Sequence, residues 1–237
     1  MFSFLVENIV RLLYPPRCVS CGSGEDWWCV TCRSSIERIN RDPCRRCLSV
    51  DAGHDVGVCI ETLPFSGVAT TGYYHSPPLR RLIAELKYQG VAATDTATDA
   101  YLASVIASRP EPLPWAGEED LLIIPMPLSD ARERERGFNQ AEWVAERLKA
   151  AIGLPAPIMA DVVIRQKGNM AQADLEHDPL LRSANVRGQF RAVGRVEAPV
   201  LLVDDVVTTG STAGEAARAL MMAGAPRVYL FTLAVGK

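Results

Sequence analysis

The sequence predicts an α/β domain, a mostly parallel sheet with helices on both faces, preceded by a small cysteine-rich module. Three observations lead there. Short apolar runs alternate with helical patterns through residues 65–237, as parallel strands joined by crossover helices require. Val200 to Val203 is a continuous apolar run, suited to a strand buried on both faces. All seven cysteines lie within residues 18–59, a stretch too short to build a core of its own. The chain is therefore divided into a head, residues 1–64, and a body, residues 65–237.

The body is read in order. Residues 66–75 alternate as a strand. Pro78 to Tyr88 is a helix turning Leu79, Leu82, Ile83 and Leu86 inward. A second helix covers about Thr96 to Ser108, and the Pro- and Glu-rich stretch from Arg109 to Asp120 is a loop. Leu121 to Ile124 is a buried strand running into Pro125-Met126-Pro127. Phe138 to Ile152 is a helix, Val162 to Ile164 a strand, and Asp178 to Ser183 a short helix. Val200 to Val203 and Arg227 to Ala234 are the last strands, with a helix from Ala213 to Met222 between them. Ligands of such sheets bind at the carboxyl ends of the strands. Asp204-Asp205 and Pro125-Met126-Pro127 both fall at such ends and can share one cleft.

Composition narrows the function classes. A chain of 237 residues with 48% hydrophobic content can hold one good core and a small satellite. A net charge of −3 gives no global basic field for nucleic acid or an anionic membrane. No apolar stretch reaches the length of a transmembrane helix. Met1 to Leu13 is apolar but lacks a basic start and a small-residue cleavage site, so it is no export signal, and the expected location is cytoplasmic. Its Phe2, Leu5, Val6, Ile9, Leu12 and Leu13 form one face of a short helix, suited to docking on the protein's own body or, alternatively, to a membrane surface.

The cysteines read Cys18-x-x-Cys21, Cys29-x-x-Cys32, Cys44-x-x-Cys47 and then Cys59 alone. Each pair can fold into a knuckle whose thiolates converge on one ion, and two knuckles complete a tetrahedral zinc site. Structural Zn²⁺ would then supply folding energy that the head cannot obtain from burial. A disulfide framework is the alternative, but the odd count, the three pairs and the missing export signal argue against it. The simplest assignment gives Cys18, Cys21, Cys29 and Cys32 to one site and Cys44, Cys47 and Cys59 to another that lacks a fourth ligand. His54 is the nearest substitute, although a lone histidine in a Gly/Asp loop is more often merely exposed. A first site joining Cys18 and Cys21 to Cys44 and Cys47 stays open on spacing.

Residues 200–212 carry the chemistry. The strand Val200 to Val203 leads into Asp204-Asp205, then into Thr208-Thr209-Gly210-Ser211-Thr212, and then into a helix. Loop amides and the helix dipole can hold a phosphate dianion. Gly210 lets the backbone approach it closely, hydroxyls donate further bonds, and the carboxylates can accept from ribose hydroxyls. This is a site for a phosphorylated sugar. No G-x-x-x-x-G-K-[ST] occurs in the chain, which argues against an ATP motor. The segment resembles the 5-phosphoribosyl 1-pyrophosphate (PRPP) signature of type I phosphoribosyltransferases at all thirteen positions.

Other motifs extend the resemblance over nearly the whole chain. They are the N-terminal C-x-x-C pairs, Leu86-Lys87-Tyr88-x-Gly90, Pro125-x-Pro127-Leu128 and Arg132-x-x-x-Arg136-Gly137-Phe138-Asn139-Gln140. Arg165-x-Lys167, Gln172 and Arg182-x-x-Asn185-Val186-x-Gly188-x-Phe190 follow. With these the chain is similar to the ComF family, bacterial competence-associated proteins related to amidophosphoribosyltransferases. It departs from that pattern at Thr62, where a double zinc ribbon has its eighth cysteine, and at Asn169, where a threonine is expected.

The resemblance implies a type I phosphoribosyltransferase-like body with a zinc-ribbon head, PRPP or a related ribose phosphate as ligand, and Mg²⁺ with it. Thr208 to Thr212 would hold the 5′-phosphate, Asp204 and Asp205 the ribose, and the Pro125-Met126-Pro127 loop the pyrophosphate. Cations near the leaving group would come from among Arg80, Arg81, Lys87, Arg132, Arg134, Arg136, Arg165 and Lys167, with Lys87 and Arg136 foremost. Interleaved Glu133 and Glu135 also suit a solvated face for Arg132 and Arg134. Two functions stay open: a pentosyl-transferring enzyme of unknown acceptor, and a non-catalytic binder of PRPP or single-stranded DNA serving DNA uptake beside a competence helicase. A structural adaptor using the zinc head is the third reading.

Overall fold

A computed structural model describes residues 15–24, 26–39, 41–60, 62–86, 94–128, 134–166 and 188–236. The expected helix within residues 1–13, the short helix at 178–183, Lys87, Arg132, Lys167, Asn169, Gln172 and most of the Arg182–Phe190 motif lie outside the described residues.

The main sheet has four parallel strands in the order β1 (Gly67–Tyr73), β6 (Val228–Val235), β5 (Val200–Val207), β2 (Leu122–Pro125). Alternate residues of β5 face opposite layers. On one face Leu201 and Val203, with Ile123 and Phe231, pack against α2 (Pro77–Leu86), α3 (Asp95–Ala107) and α4 (Gln140–Ile152) through Leu79, Leu82, Tyr101 and Leu148. On the other face Val200 and Leu202, with Ile124 and Leu230, pack against Ala213, Ala216 and Leu220 of α5 (Ser211–Met222). Both faces are dry, so the strands carry apolar runs rather than alternation. All eight residues of β6 are buried.

The helix boundaries follow from their caps. Asn139 has extended backbone and its carboxamide oxygen accepts from Ala141 N at 3.0 Å, so α4 starts at Gln140 rather than at Phe138. Gly153 closes α4 in the left-handed conformation, φ 62°.

Two expectations are corrected. Residues 163–165 form β3 (Val163–Arg165), which is no member of the main sheet; it pairs antiparallel with β4 (Phe190–Ala192), a strand the sequence reading missed. Val163 and Phe190 still bury against the α5 face, which accounts for the apolar character that suggested a sheet strand. Asp204 and Asp205, expected beyond the end of their strand, lie inside it. β5 continues through Val207 because β6 goes on pairing with it, from Asp204↔Thr232 to Val207↔Val235.

Among its described residues the head has one α-helix, α1 (Val30–Ser34). Its apolar residues belong to the body's clusters: Trp28 and Ile36 join the α2–α4 layer, and Leu48 and Val50 join the α5 layer. Trp28 meets Tyr101 of α3 edge to face, ring centroids 5.2 Å apart.

Candidate functional site

The cleft exists because β2 stops before β5 does. Pro125 is the last β2 residue paired with β5, opposite Val203. Met126 N still donates to Val203 O at 2.8 Å, and then the chain turns away through Pro127 and Leu128. From Asp204 onward β5 pairs, among the described residues, with β6 alone. A cleft of about 240 Å³ lies along this stretch, lined by Asp204, Asp205, Thr208 to Thr212, Met126, Pro127 and Arg136 among others.

Most of the expected residues therefore converge. The Asp204 carboxylate accepts from Asp205 N at 2.9 Å and the Asp205 carboxylate from Val206 N at 2.7 Å. Adjacent strand residues point to opposite faces, yet Asp204 and Asp205 both line the cleft. Thr209 and Ser211 hydroxyls lie 3.0 Å apart. Gly210 caps α5 with φ 73° and has no side chain to bond the first helix amides. The Ser211 amide donates to Thr209 Oγ1 at 3.4 Å, and the first amides of a helix, which lack intrahelical carbonyls, favour an anion. The dipole of α5 adds to that preference.

Gly210 has a second reason to be glycine. A Cβ there would lie 2.7 Å from Leu48 Cδ1 and 2.8 Å from Leu63 Cδ1. Its bare face is turned to the head and linker, so the close approach it permits is theirs as well as a ligand's.

Among the described residues, two of the candidate cations, Arg136 and Arg165, line the cleft. Arg136 lines the cleft, and its Nη1 donates to Gln140 Oε1 at 2.7 Å. Gln140 is itself buried and donates to Leu86 O at 3.4 Å. Arg165 reaches the cleft from the β3–β4 pair; its Nη2 donates to Gln189 Oε1 at 2.9 Å and its guanidinium sits 5.7 Å from the Phe190 ring centre. Arg80, Arg81 and Arg134 are not among the lining residues. Arg81 instead donates to Ser20 O in the head. Pro125 is buried in β2 and does not line the cleft, which Met126 and Pro127 do. Asn139 and Gln140, quoted only as motif residues, also border the cleft. Asn139 joins the α4 cap to the loop, its Nδ2 donating to Met126 O at 3.0 Å.

Among the described residues the head has two clusters of side chains that could hold a metal ion. Cys18, Cys21, Cys29 and Cys32 have their sulfurs within 4.8 Å of one another, as do the ligand atoms of Cys44, Cys47, His54 and Cys59. Neighbouring pairs combine, and the crossed assignment of Cys18 and Cys21 with Cys44 and Cys47 is not adopted. The Cys21 and Cys29 sulfurs are 3.8 Å apart, which is about the sulfur–sulfur edge of a tetrahedron with Zn–S bonds of about 2.3 Å. His54 fills the place left by Thr62, its Nε2 lying 3.3 Å from Cys47 Sγ. Arg41 holds the loop that carries it, donating to Asp51 O at 3.0 Å and Ala52 O at 2.8 Å.

The surroundings favour thiolates at Cys18, Cys21 and Cys44, whereas burial pushes Cys32 up to about 12 and Cys47 up to about 11. Amides of Ser20 and Cys29 donate to Cys18 Sγ, each at 3.4 Å. The hydroxyl and amide of Ser23 lower the Cys21 thiol to about 6. Burial pushes the Cys44 thiol up, but the amides of Arg46 and Cys47 outweigh it and leave Cys44 at about 7. The residues present fit structural zinc.

Residues 9–61 match a family model described as a double zinc ribbon domain. The chain is 31% identical to competence protein F of Haemophilus influenzae over 232 residues, 92% of this chain and 96% of that protein. It is 30% identical to the DNA utilization protein YhgH of Escherichia coli K12 over 215 residues, 86% and 88% of the two chains. It is 26% identical to competence protein ComFC of Bacillus subtilis over 215 residues, 86% and 82% of the two. Among solved structures, a hypoxanthine phosphoribosyltransferase from Staphylococcus aureus aligns with TM-score 0.36 at 13% identity, over 63% of this chain and 69% of that one. Among the described residues no helix is long and apolar enough to cross a membrane.

Proposed function

The chain belongs to the ComF family, and on that premise we propose that its cleft binds PRPP or a related ribose phosphate and transfers the phosphoribosyl group to an acceptor during the handling of DNA taken up by the cell. One observation carries the reading: β5 presents Asp204 and Asp205 and runs directly into the Thr208–Thr212 loop at the start of α5, opposite Met126 and Pro127, all lining one cleft.

Each part has a task in that chemistry. The loop hydroxyls and the first amides of α5 hold the 5′-phosphate dianion. Asp204 and Asp205 accept from the ribose hydroxyls and are the groups that would hold Mg²⁺, which supplies charge neutralisation for the pyrophosphate when bound. Met126 and Pro127 border the pyrophosphate. Transfer breaks the C1–oxygen bond, leaving positive charge on the ribose ring and negative charge on pyrophosphate. Arg136, braced by Gln140, and Arg165, braced by Gln189, are the cations placed to receive that negative charge. Lys87 belongs to the same proposed set. The zinc head, residues 1–64, and the body, residues 65–237, are the proposed units, and the cytoplasm is the proposed compartment. The relatives' names, competence and DNA utilization proteins, support a place in DNA uptake; single-stranded DNA and a competence helicase are the partners proposed with it.

The test is titration of the protein with PRPP and with ribose 5-phosphate, each with Mg²⁺, followed by a pyrophosphate-release screen across nucleobases and amines. Asp204→Asn with Asp205→Asn is expected to abolish PRPP binding and to leave single-stranded DNA binding equal or stronger, because two negative charges are removed. PRPP binding that survives this change overturns the assignment. A wild type that binds single-stranded DNA but neither sugar phosphate favours the non-catalytic DNA-binding reading.

A further inference from the structure

The two metal knuckles of the head are built alike. In the first, Gly22 N donates to Cys18 O at 2.8 Å and Cys18 N to Ser23 O at 2.7 Å. In the second, Leu48 N donates to Cys44 O at 2.7 Å and Cys44 N to Ser49 O at 2.8 Å. The Cys18 and Cys44 sulfurs each accept an amide bond of 3.4 Å, from Ser20 and Arg46. Both knuckles need the left-handed backbone at the residue after their second cysteine. The first meets this with Gly22, φ 76°, around which a Cβ would find nothing within 4 Å. The second places a leucine there. Leu48, φ 63°, is the one non-glycine residue with positive φ among the described residues.

A leucine held where glycine fits without strain needs a reason in its side chain. Leu48 is buried, and its methyl occupies the bare face of Gly210 in the anion-binding loop. Leu63 covers the same glycine from the linker and also lies over Gly214, one turn into α5. The linker is fixed at both ends of this contact: Leu63 N donates to Arg46 O inside the knuckle at 3.1 Å, and Arg218 of α5 donates to Thr62 O at 3.4 Å.

We infer that the second metal knuckle is the positioning element of the cleft loop, with Leu48 a positioning residue that holds Gly210 in its left-handed turn. A metal held by Cys44, Cys47, His54 and Cys59 would fix this knuckle, and through Leu48 the knuckle positions the loop that the proposed sugar phosphate contacts. The ligand half of this inference rests on the phosphate-loop reading above; the loop-ordering half does not.

Leu48→Gly tests it, because glycine suits φ 63° and removes only the side chain. Zinc content is expected to stay at the wild-type value. Amide hydrogen exchange at residues 209–213 is expected to speed up by at least about tenfold while the β5–β6 amides keep their protection. Ribose 5-phosphate affinity is expected to fall by a similar factor, and Leu48→Met to restore both. Unchanged loop exchange overturns the inference. If the wild type binds no ribose 5-phosphate, the proposed function falls while the exchange measurement still decides the loop-ordering claim. Should Leu48→Gly lose the native circular dichroism spectrum, Leu63→Ala, which leaves the knuckle intact, is read in its place by the same exchange measurement.

Discussion

Gly210→Ala is the smallest change that tests how the cleft loop is held. Alanine at φ 73° must adopt the left-handed conformation, at about 1–2 kcal/mol. Its Cβ would lie 2.7 Å and 2.8 Å from the Leu48 and Leu63 methyls, well inside the optimum carbon separation of about 3.5–4.0 Å. Overpacking of this kind costs about 1–3 kcal/mol. Methyl ends can shift, but Leu48 is buried and Leu63 is tied to Arg46, so neither retreats freely. Near the middle of the summed range, about 3 kcal/mol, the melting temperature falls by about 6–12 °C for a chain of this size. Ribose 5-phosphate affinity, measured by calorimetry below the melt, is expected to drop by at least about tenfold, since only about 1.4 kcal/mol of the loss need fall on the loop. Adding Leu48→Gly opens the contested space and is expected to recover part of the stability, a coupling that independent sites would not show. A Gly210→Ala protein that melts with the wild type and binds unchanged refutes the reasoning, and strict additivity in the double variant refutes the role of Leu48.

Elemental analysis is expected to return about two zinc ions per chain, falling to about one in His54→Ala, whereas Cys18→Ser releases the other ion; a zinc content unchanged in His54→Ala removes His54 from the second site. Glu118 lies on the far end of the sheet, where Arg227 donates to its carboxylate at 2.6 and 2.7 Å and Tyr229 donates as well. The Arg227 bonds hold the Glu118 carboxyl below its ordinary value, so its stabilisation is complete at neutral pH and is lost as pH falls through that lowered value. Glu118→Gln is therefore expected to melt lower than the wild type at neutral pH, with the gap closing in acid; a gap that does not change with pH contradicts the ion pair's contribution.

What could be read in advance was local. The run from Val200 through Thr212 encodes a strand, a turn and a helix start within thirteen residues, and each knuckle is closed by hydrogen bonds spanning five or fewer positions, such as Leu48 N to Cys44 O. What could not be read depends on distant neighbours. Whether Asp204 and Asp205 lie within β5 or beyond it is decided by how far β6 and β2 accompany that strand, which nothing near residue 204 specifies. Val163 to Arg165 carries a buried strand's composition, but its partner, Phe190 to Ala192, lies across a long intervening segment. His54 enters the second cluster because Arg41 draws the 51–54 loop inward. A glycine in a hydroxyl-rich loop signals a close approach; only the packed chain identifies Leu48 and Leu63 as what approaches.

The position of β6 fixes the order in which the molecule can be assembled. The strand comes last in the described chain, yet it is the one that joins β1 to β5 in the middle of the sheet. A chain still on the ribosome and stopped before Val228 leaves β1 without a strand beside it in the main sheet and β5 paired there only with β2, with Val68, Leu201 and Leu202 among the apolar residues facing water. The head is not subject to this delay, since its eight metal-cluster residues are all translated by Cys59. Nascent chains are thus able to take up metal well before they have a body to dock it on, and the final eight-residue strand closes the sheet in one late, long-range step of the kind that makes parallel topologies slow to fold.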